Sequence, residues 1–194
     1  MKMENMNNVK TPKEYRIKKI EELKDNLPGF WDEATYKSIC YLAVILNESA
    51  KTNMHPLFSI LPITGVACFI RTIISKHRGL MEIDRLETEL KLDEVAESEF
   101  IRILENKKQE LSKLNKENNS RFIVNCAIGV MSIILACYLS YLNVDLVPNL
   151  LTLTGAYGFL GFVEKFYEMK EINARINQVE EKQELFEFQR TRKQ

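Results

Sequence analysis

The chain has 194 residues, with 27 lysines and arginines balanced by 27 acidic side chains, and 45% of its residues are hydrophobic. This length suits one domain with at most a small annex, and zero net charge removes the usual signature of a general nucleic-acid binder. The four cysteines lack the close spacing of a zinc or redox site, so we expect them to pack as small apolar residues and expect no metal or cofactor. Residues 1–10 are polar and should be disordered, and they contain no apolar signal-peptide core.

Residues 11–78 are predicted to form an N-terminal helical region. Thr11 followed by Pro12 is typical of an N-cap and a first helical position, and Leu27-Pro28-Gly29 should end that helix. Another helix end is expected at Gly79.

Two apolar runs in this region, at 38–47 and 57–70, are shorter than a membrane span, and Pro62 interrupts the second. We therefore expect a helical bundle that rests on the membrane or lies partly in it. The alternative is a four-span topology.

Residues 80–121 are predicted to form a long amphipathic stalk helix of coiled-coil type. Apolar residues recur there at spacings of three, four or seven, and the heptad slips near 93–98. A similar stripe continues in a charged C-terminal helix at 164–194. Two such helices should pair with each other or bundle with other subunits.

The strongest pattern in the chain is a pair of uncharged runs within 122–163. The first, from Phe122 to Leu142, has 21 residues and matches the roughly 30 Å hydrocarbon core at about 1.5 Å per helical residue. The second, from Leu146 to Val163, has 18 residues, and only three residues separate the two runs. The predicted fold is therefore all-α, an integral membrane helical hairpin with two spans. The alternative is a buried hairpin in the core of a soluble domain.

Charges around the hairpin predict its orientation. Basic residues flank both outer ends, whereas the connecting residues 143–145 carry one acid, Asp145, and no base. By the positive-inside rule, both termini should be cytoplasmic and the loop should face outward. Asp145 is also suited to cap the second helix.

Small residues recur on both runs at steps of three or four. Such rows let helix backbones approach closely, which drives packing in lipid. They are predicted to pack the hairpin itself or to contact a neighbouring subunit. The row comprises Gly129, Ser132, Ala136 and Ser140 on the first helix and Gly155, Gly158 and Gly161 on the second.

The end of the stalk beside the first run is basic, whereas the stalk's other end is acidic. Lysine and arginine near a membrane surface attract anionic headgroups at about 1 kcal/mol each. The predicted headgroup-binding residues are Lys107, Lys108, Lys113, Lys116 and Arg121. The alternative is a charged helix face that is merely solvated.

One short motif is a weak candidate for catalysis. Arg71-Thr72-Ile73-Ile74-Ser75-Lys76-His77 resembles the R-x4–6-H signature of HEPN-type ribonucleases. That resemblance implies a dimer in which Arg71 holds a phosphate and His77 transfers protons on RNA. The alternative is a helix end whose basic residues complement the helix dipole.

The loop resembles a motif of the mitochondrial calcium uniporter pore subunit, which also places a coiled coil, a span, a short acidic loop and a second span in order. The match is Asp145-Leu146-Val147-Pro148, but Val147 replaces the family's glutamate and the preceding tryptophan is absent. The resemblance therefore does not imply calcium selectivity. In a ring of subunits, Asp145 would still line a pore mouth and favour cations.

Together these patterns predict a homo-oligomeric membrane protein that forms a pore or a membrane-perturbing assembly, with the lipid bilayer as its other partner. The sequence contains no phosphate-binding loop and no metalloprotease motif, so an enzyme is not expected. The alternatives are a membrane-tethered RNA-binding or HEPN-like accessory protein in antiviral defence, with RNA as partner, and a passive membrane scaffold.

Overall fold

The computed structural model describes residues 11–29, 32, 34–39, 41, 57–142 and 146–193, with backbone only at 57–63, 98, 140, 146–150, 152, 153 and 193. The long helices are α1 (Pro12–Asn26), α2 (Leu57–Asp93), α3 (Glu97–Tyr141) and α4 (Leu146–Lys193), and residues 34–39 are also helical. Since no strand occurs in these described ranges, the prediction of an all-α fold is confirmed.

Helix α1 begins and ends at the predicted residues. The Thr11 hydroxyl accepts a hydrogen bond from Glu14 N at 3.2 Å, and the Glu14 carboxylate accepts one from Thr11 N at 3.2 Å. This reciprocal pair is a capping box, and it satisfies two backbone donors that the helix itself leaves unpaired. Pro12 follows in the first turn, and the extended C-cap at Leu27 ends the helix.

Helix α2 passes through two positions at which the sequence predicts an interruption. It continues past Pro62 and past Gly79, so the predicted helix end at Gly79 is wrong. A Cβ atom at Gly79 would lie 2.6 Å from Leu27 Cδ2. The glycine therefore makes room for the Leu27 side chain and does not end the helix.

The predicted stalk at 80–121 is corrected to parts of two helices. Helix α2 ends at Asp93 and α3 begins at Glu97, where the amide of Glu99 donates a hydrogen bond to the Ala96 carbonyl at 2.9 Å. The break falls where the heptad pattern slips. Beyond it, α3 runs from the charged segment into the first uncharged run without interruption.

The chain divides into two compact units. Unit 1 comprises Met1–Leu27, Lys76–Lys113 and Glu171–Gln194. Its buried clusters consist of large aliphatic side chains from every helix that it contains, and such burial is the main source of stability in water. The clusters are Leu92, Leu104, Leu111, Ile172 and Val179, and Ile20, Ile83 and Leu86.

Within unit 1, α3 and α4 run antiparallel. The rings of Phe100 and Phe186 stack with their centroids 4.7 Å apart, and Lys108 Nζ lies 2.8 Å from a carboxylate oxygen of Glu180. Residues that come later on α3 thus meet residues that come earlier on α4.

Unit 2 comprises Pro28–Ser75 and Leu114–Lys170. Its buried cluster joins Phe69 and Ile73 of α2 to Leu160 of α4, with Tyr36 and Tyr167 among the partly buried residues around it. Contacts of unit 2 between α3 and α4 form the candidate site.

Candidate membrane-spanning hairpin

Helix α3 is long and apolar enough to cross a bilayer, and it is the one helix in the described part of the chain that meets this test. The qualifying stretch is Glu99–Leu139, and only 17% of its most apolar window is buried inside the protein. The predicted second run occupies the start of α4, but much of it falls on residues that are described by their backbone alone. The structure thus supports one potential span in α3.

The large apolar side chains of the first run point away from the protein. Ile134 is 58% exposed and Met131 is 65% exposed, although both lie in the middle of the run. Tyr157 and Phe159 on the facing part of α4 are also exposed. The other exposed large residues of the first run are Ile123, Val124, Ile128, Val130, Ile133, Leu135, Tyr138, Tyr141 and Leu142.

The buried face of the same run consists of small residues. Gly129, Ser132 and Ala136 are buried on α3, and Gly155 and Gly158 are buried on α4. A Cβ atom at Gly158 would lie 2.6 Å from Gly129 N and 2.8 Å from Gly129 Cα. The two backbones therefore pass each other where neither carries a side chain, as the predicted packing role of these residues requires.

The two other glycines on α4 also face α3, but they meet side chains. A Cβ atom at Gly155 would lie 3.2 Å from Ile133 Cγ1, and one at Gly161 would lie 2.7 Å from Asn125 Nδ2. Side chains can shift more easily than backbone. Of these glycines, Gly158 is therefore the one at which an added side-chain atom would disturb the packing of α3 against α4 most.

The base of the hairpin carries aromatic contacts between the two helices. The ring centroids of Phe122 and Phe162 lie 4.6 Å apart, which pairs the first residue of the first run with the penultimate residue of the second. Phe162 is also 6.5 Å from Phe166. In unit 2, α3 and α4 are therefore antiparallel, and they contact each other both at the phenylalanines and at the glycines.

A buried polar series on α3 was not evident from the uncharged pattern. Asn118 is 2% exposed, Asn125 is partly buried and Ser132 is buried. These residues continue at steps of seven from the buried Leu104 and Leu111. Extending the heptad of the stalk past Leu111 would have identified them.

A shallow apolar groove lies on the surface of the hairpin beside the glycine contact. Its volume is about 220 Å³, and Asn125 is the one amide side chain in its lining. Because its walls are small or apolar, it suits an aliphatic chain or another helix. The groove is lined by Asn125, Cys126, Gly129, Val130, Ile133, Gly155, Gly158, Phe159 and Phe162.

Two of the predicted headgroup-binding lysines are engaged within unit 1. Lys107 forms ion pairs with Asp84 and Glu110, and Lys108 pairs with Glu180. Burial lowers the pKa of Lys107, but its hydrogen bonds to Asp84 and Glu110 more than offset this effect, so the pKa lies above its ordinary value. Lys107 and Lys108 are therefore held by acidic side chains of unit 1, while their predicted contact with headgroups stays a prediction.

Asp84 is the centre of that network. Its carboxylate accepts a hydrogen bond from Arg175 Nε at 3.0 Å and also pairs with Lys107, so one α2 side chain joins α3 and α4. Arg175 is only 5% exposed. A buried charge of this kind favours one alignment of the helices, since any other would leave it unpaired.

The other predicted headgroup residues remain at the surface. Arg121 pairs with Glu117 at 2.6 Å, whereas Lys113 and Lys116 are exposed and form no ion pair with a described residue.

Arg71 and His77 lie on different faces of α2. Arg71 is exposed, whereas His77 is 5% exposed. Six residues along a helix also rotate the side chain by well over a right angle. The structure therefore does not bring these two residues to one accessible surface.

Two further predicted residues fall outside what the structure describes. Asp145 of the loop lies outside the described residues, as does the side chain of Ser140. Among the residues that are described, no group of histidine, cysteine or acidic side chains could hold a metal ion.

Comparison of the chain with protein families, with curated proteins and with solved structures found no match.

Proposed function

We propose that the chain is an integral membrane protein whose hairpin, formed by α3 and the first part of α4, crosses the bilayer twice with both termini in the cytoplasm. We further propose that copies of the chain assemble through this hairpin into a pore or a membrane-perturbing oligomer. The bilayer and a second copy of the chain are the partners in this proposal.

The membrane proposal depends on where large and small side chains lie in the first run, which is the reverse of their placement in a soluble protein. Ile134 and Met131 face outward, while Gly129 and Ser132 are buried. In water this arrangement would expose a large apolar surface, which soluble monomers rarely do. In lipid it is favourable, because acyl chains solvate the large side chains and the small residues allow close helix packing.

Exposed apolar side chains outside the first run support assembly. Leu185 and Phe188 near the end of α4 are exposed in unit 1, as are Tyr15, Ile17 and Leu80. In unit 2, the groove beside Gly129 and Gly158 offers an apolar surface to another helix. Asp145 enters the proposal from the sequence alone, as an acid that would stand at the outer mouth of an oligomeric pore.

Vesicle leakage tests this function. Purified full-length protein reconstituted into phosphatidylcholine vesicles should release a self-quenched dye, and the release should rise more steeply than the protein-to-lipid ratio because assembly is required. Cross-linking in the same vesicles should yield oligomers. Protein that inserts but remains monomeric and releases no dye would contradict the pore and favour a passive scaffold.

A charge on the outward face provides the decisive variant. Ile134→Asp should abolish insertion and leakage, since a carboxylate at the bilayer centre costs about 3 kcal/mol or more. Gln178→Asp adds the same charge at an exposed position of unit 1 and should release dye as the original protein does. Equal leakage from both variants would mean that Ile134 does not face lipid.

A further inference from the structure

The described acidic side chains of unit 2 all have partners within the unit. Asp32 accepts a hydrogen bond from Gly29 N at 2.9 Å, and each of the three glutamates forms an ion pair. The pairs are Glu117 with Arg121 at 2.6 Å, Glu164 with Lys37 at 3.0 Å and Glu168 with Lys165 at 2.5 Å.

Three cations of unit 2 remain after this pairing. Arg71, Lys116 and Lys170 are exposed, and none of them forms an ion pair with a described residue. Among its described residues, unit 2 therefore presents a surplus of positive charge, since only the Asp32 carboxylate stands against these three cations. A surface of this kind is complementary to anions.

These cations lie at or beyond the ends of three of the uncharged runs. Arg71 directly follows the run 57–70, while Lys116 precedes Phe122 and Lys170 follows Val163. At about 1.5 Å per helical residue, Lys116 and Lys170 lie roughly 10 Å beyond the runs, a distance that a flexible lysine can partly span by bending back toward the interface.

Packing within unit 2 places Arg71 near the same end of the hairpin. Phe69 and Ile73, on either side of Arg71, belong to one buried cluster with Leu160 and are packed against Tyr167. Arg71 therefore lies on the part of α2 that contacts the end of the second run, beyond which Lys170 is found.

We propose that Arg71, Lys116 and Lys170 together bind the headgroups of anionic phospholipids in the cytoplasmic leaflet. This inference rests on the proposed membrane crossing, and it assigns Arg71 to lipid binding in place of RNA catalysis. The guanidinium of Arg71 can pair with a phosphate through two parallel hydrogen bonds, whereas the two lysines act as mobile point charges. Lys107 and Lys108 are not part of the site, because acidic side chains of unit 1 already hold them.

Quenching by brominated lipids tests the site in the full-length protein. A tryptophan reporter is introduced by Ile123→Trp at an exposed position beside Phe122, in a Trp31→Phe background that removes the native tryptophan. Quenching by brominated phosphatidylglycerol relative to brominated phosphatidylcholine then gives the relative association constant of the anionic lipid. We expect a clear preference for phosphatidylglycerol.

The triple variant Arg71→Gln, Lys116→Gln and Lys170→Gln should lose that preference. Each cation near the surface contributes about a fivefold factor, corresponding to about 1 kcal/mol, so the three single variants should show graded losses. The matched control Lys91→Gln, Arg102→Gln and Arg190→Gln removes the same charge from exposed positions of unit 1 and should keep the preference.

Two results would overturn the site while leaving the membrane crossing intact. One is equal quenching by both lipids in the original protein, and the other is an unchanged preference in the triple variant. If neither brominated lipid quenches the reporter, residue 123 does not contact acyl chains, and the proposed crossing fails together with the site.

Discussion

Helices α3 and α4 pack against each other in both units, but with opposite kinds of residue. In unit 1 the buried residues are large, such as Leu104 and Ile172, and charged side chains face outward. In the hairpin of unit 2 the residues buried where the two helices cross are small, such as Gly129 and Gly158, and large apolar side chains of the first run face outward. The same two helices thus use the hydrophobic effect in one segment and close backbone packing in the other, as expected for segments in water and in lipid.

The largest expected loss of stability follows from shortening a large buried side chain of unit 1. Leu104→Ala should lower the free energy of unfolding by about 2–5 kcal/mol, because Leu104 is fully buried and its loss leaves a cavity. Ile134→Ala in unit 2 makes a similar change at an exposed position and should have little effect in detergent. Thermal unfolding in mild detergent, followed by circular dichroism, measures both, and a larger loss for Ile134→Ala would reverse the assignment.

The hairpin of unit 2 should instead be destabilised when side-chain atoms are added to a buried glycine. Gly158→Ala should destabilise the hairpin by about 1–3 kcal/mol, because its Cβ would meet the backbone of Gly129, which cannot rotate away.

Gly129→Ala is a sharp control for this prediction. The nearest atom to its Cβ is Phe159 N at 3.5 Å, an ordinary contact, and alanine raises helix propensity by up to about 1 kcal/mol. Gly129→Ala should therefore be neutral or stabilising. If the two facing glycines respond alike in the same unfolding assay, the close approach is not as described.

The smallest expected effect concerns a polar residue in the buried series. The side-chain nitrogen of Asn118 is buried and has no hydrogen-bond partner among the described residues. Asn118→Leu should therefore raise the free energy of unfolding by about 1 kcal/mol, whereas Asn119→Leu, at an exposed neighbour, should change it little. Destabilisation by Asn118→Leu alone would show that the amide makes a stabilising contact that leucine cannot replace.

Local signals predicted helix ends where short-range chemistry decides them. Thr11 and Pro12 start α1 because a hydroxyl acceptor and a missing amide suit the first turn, and these preferences need no tertiary information. The heptad slip near 93–98 likewise marked the break between α2 and α3, although the stalk was predicted as one helix.

Tertiary packing explains what the sequence could not supply. Glycine is typical of a helix end, but at Gly79 it makes room for the Leu27 side chain. Because Leu27 is distant in sequence, the residues around Gly79 do not reveal this contact. The spacing of Arg71 and His77 fitted a catalytic motif, yet only the fold reveals that one is exposed and the other buried. The sequence likewise does not reveal that Asp84, 23 residues before Lys107, forms an ion pair with it.

The contact between Gly129 and Gly158 also has an evolutionary consequence. If the outward face contacts lipid as proposed, Ile134 and Met131 should be exchangeable for other large apolar residues, because acyl chains solvate any of them. Position 158 has almost no such freedom, since even one extra carbon would meet backbone. Natural selection on this segment should therefore act mainly through a residue that contributes no side chain at all.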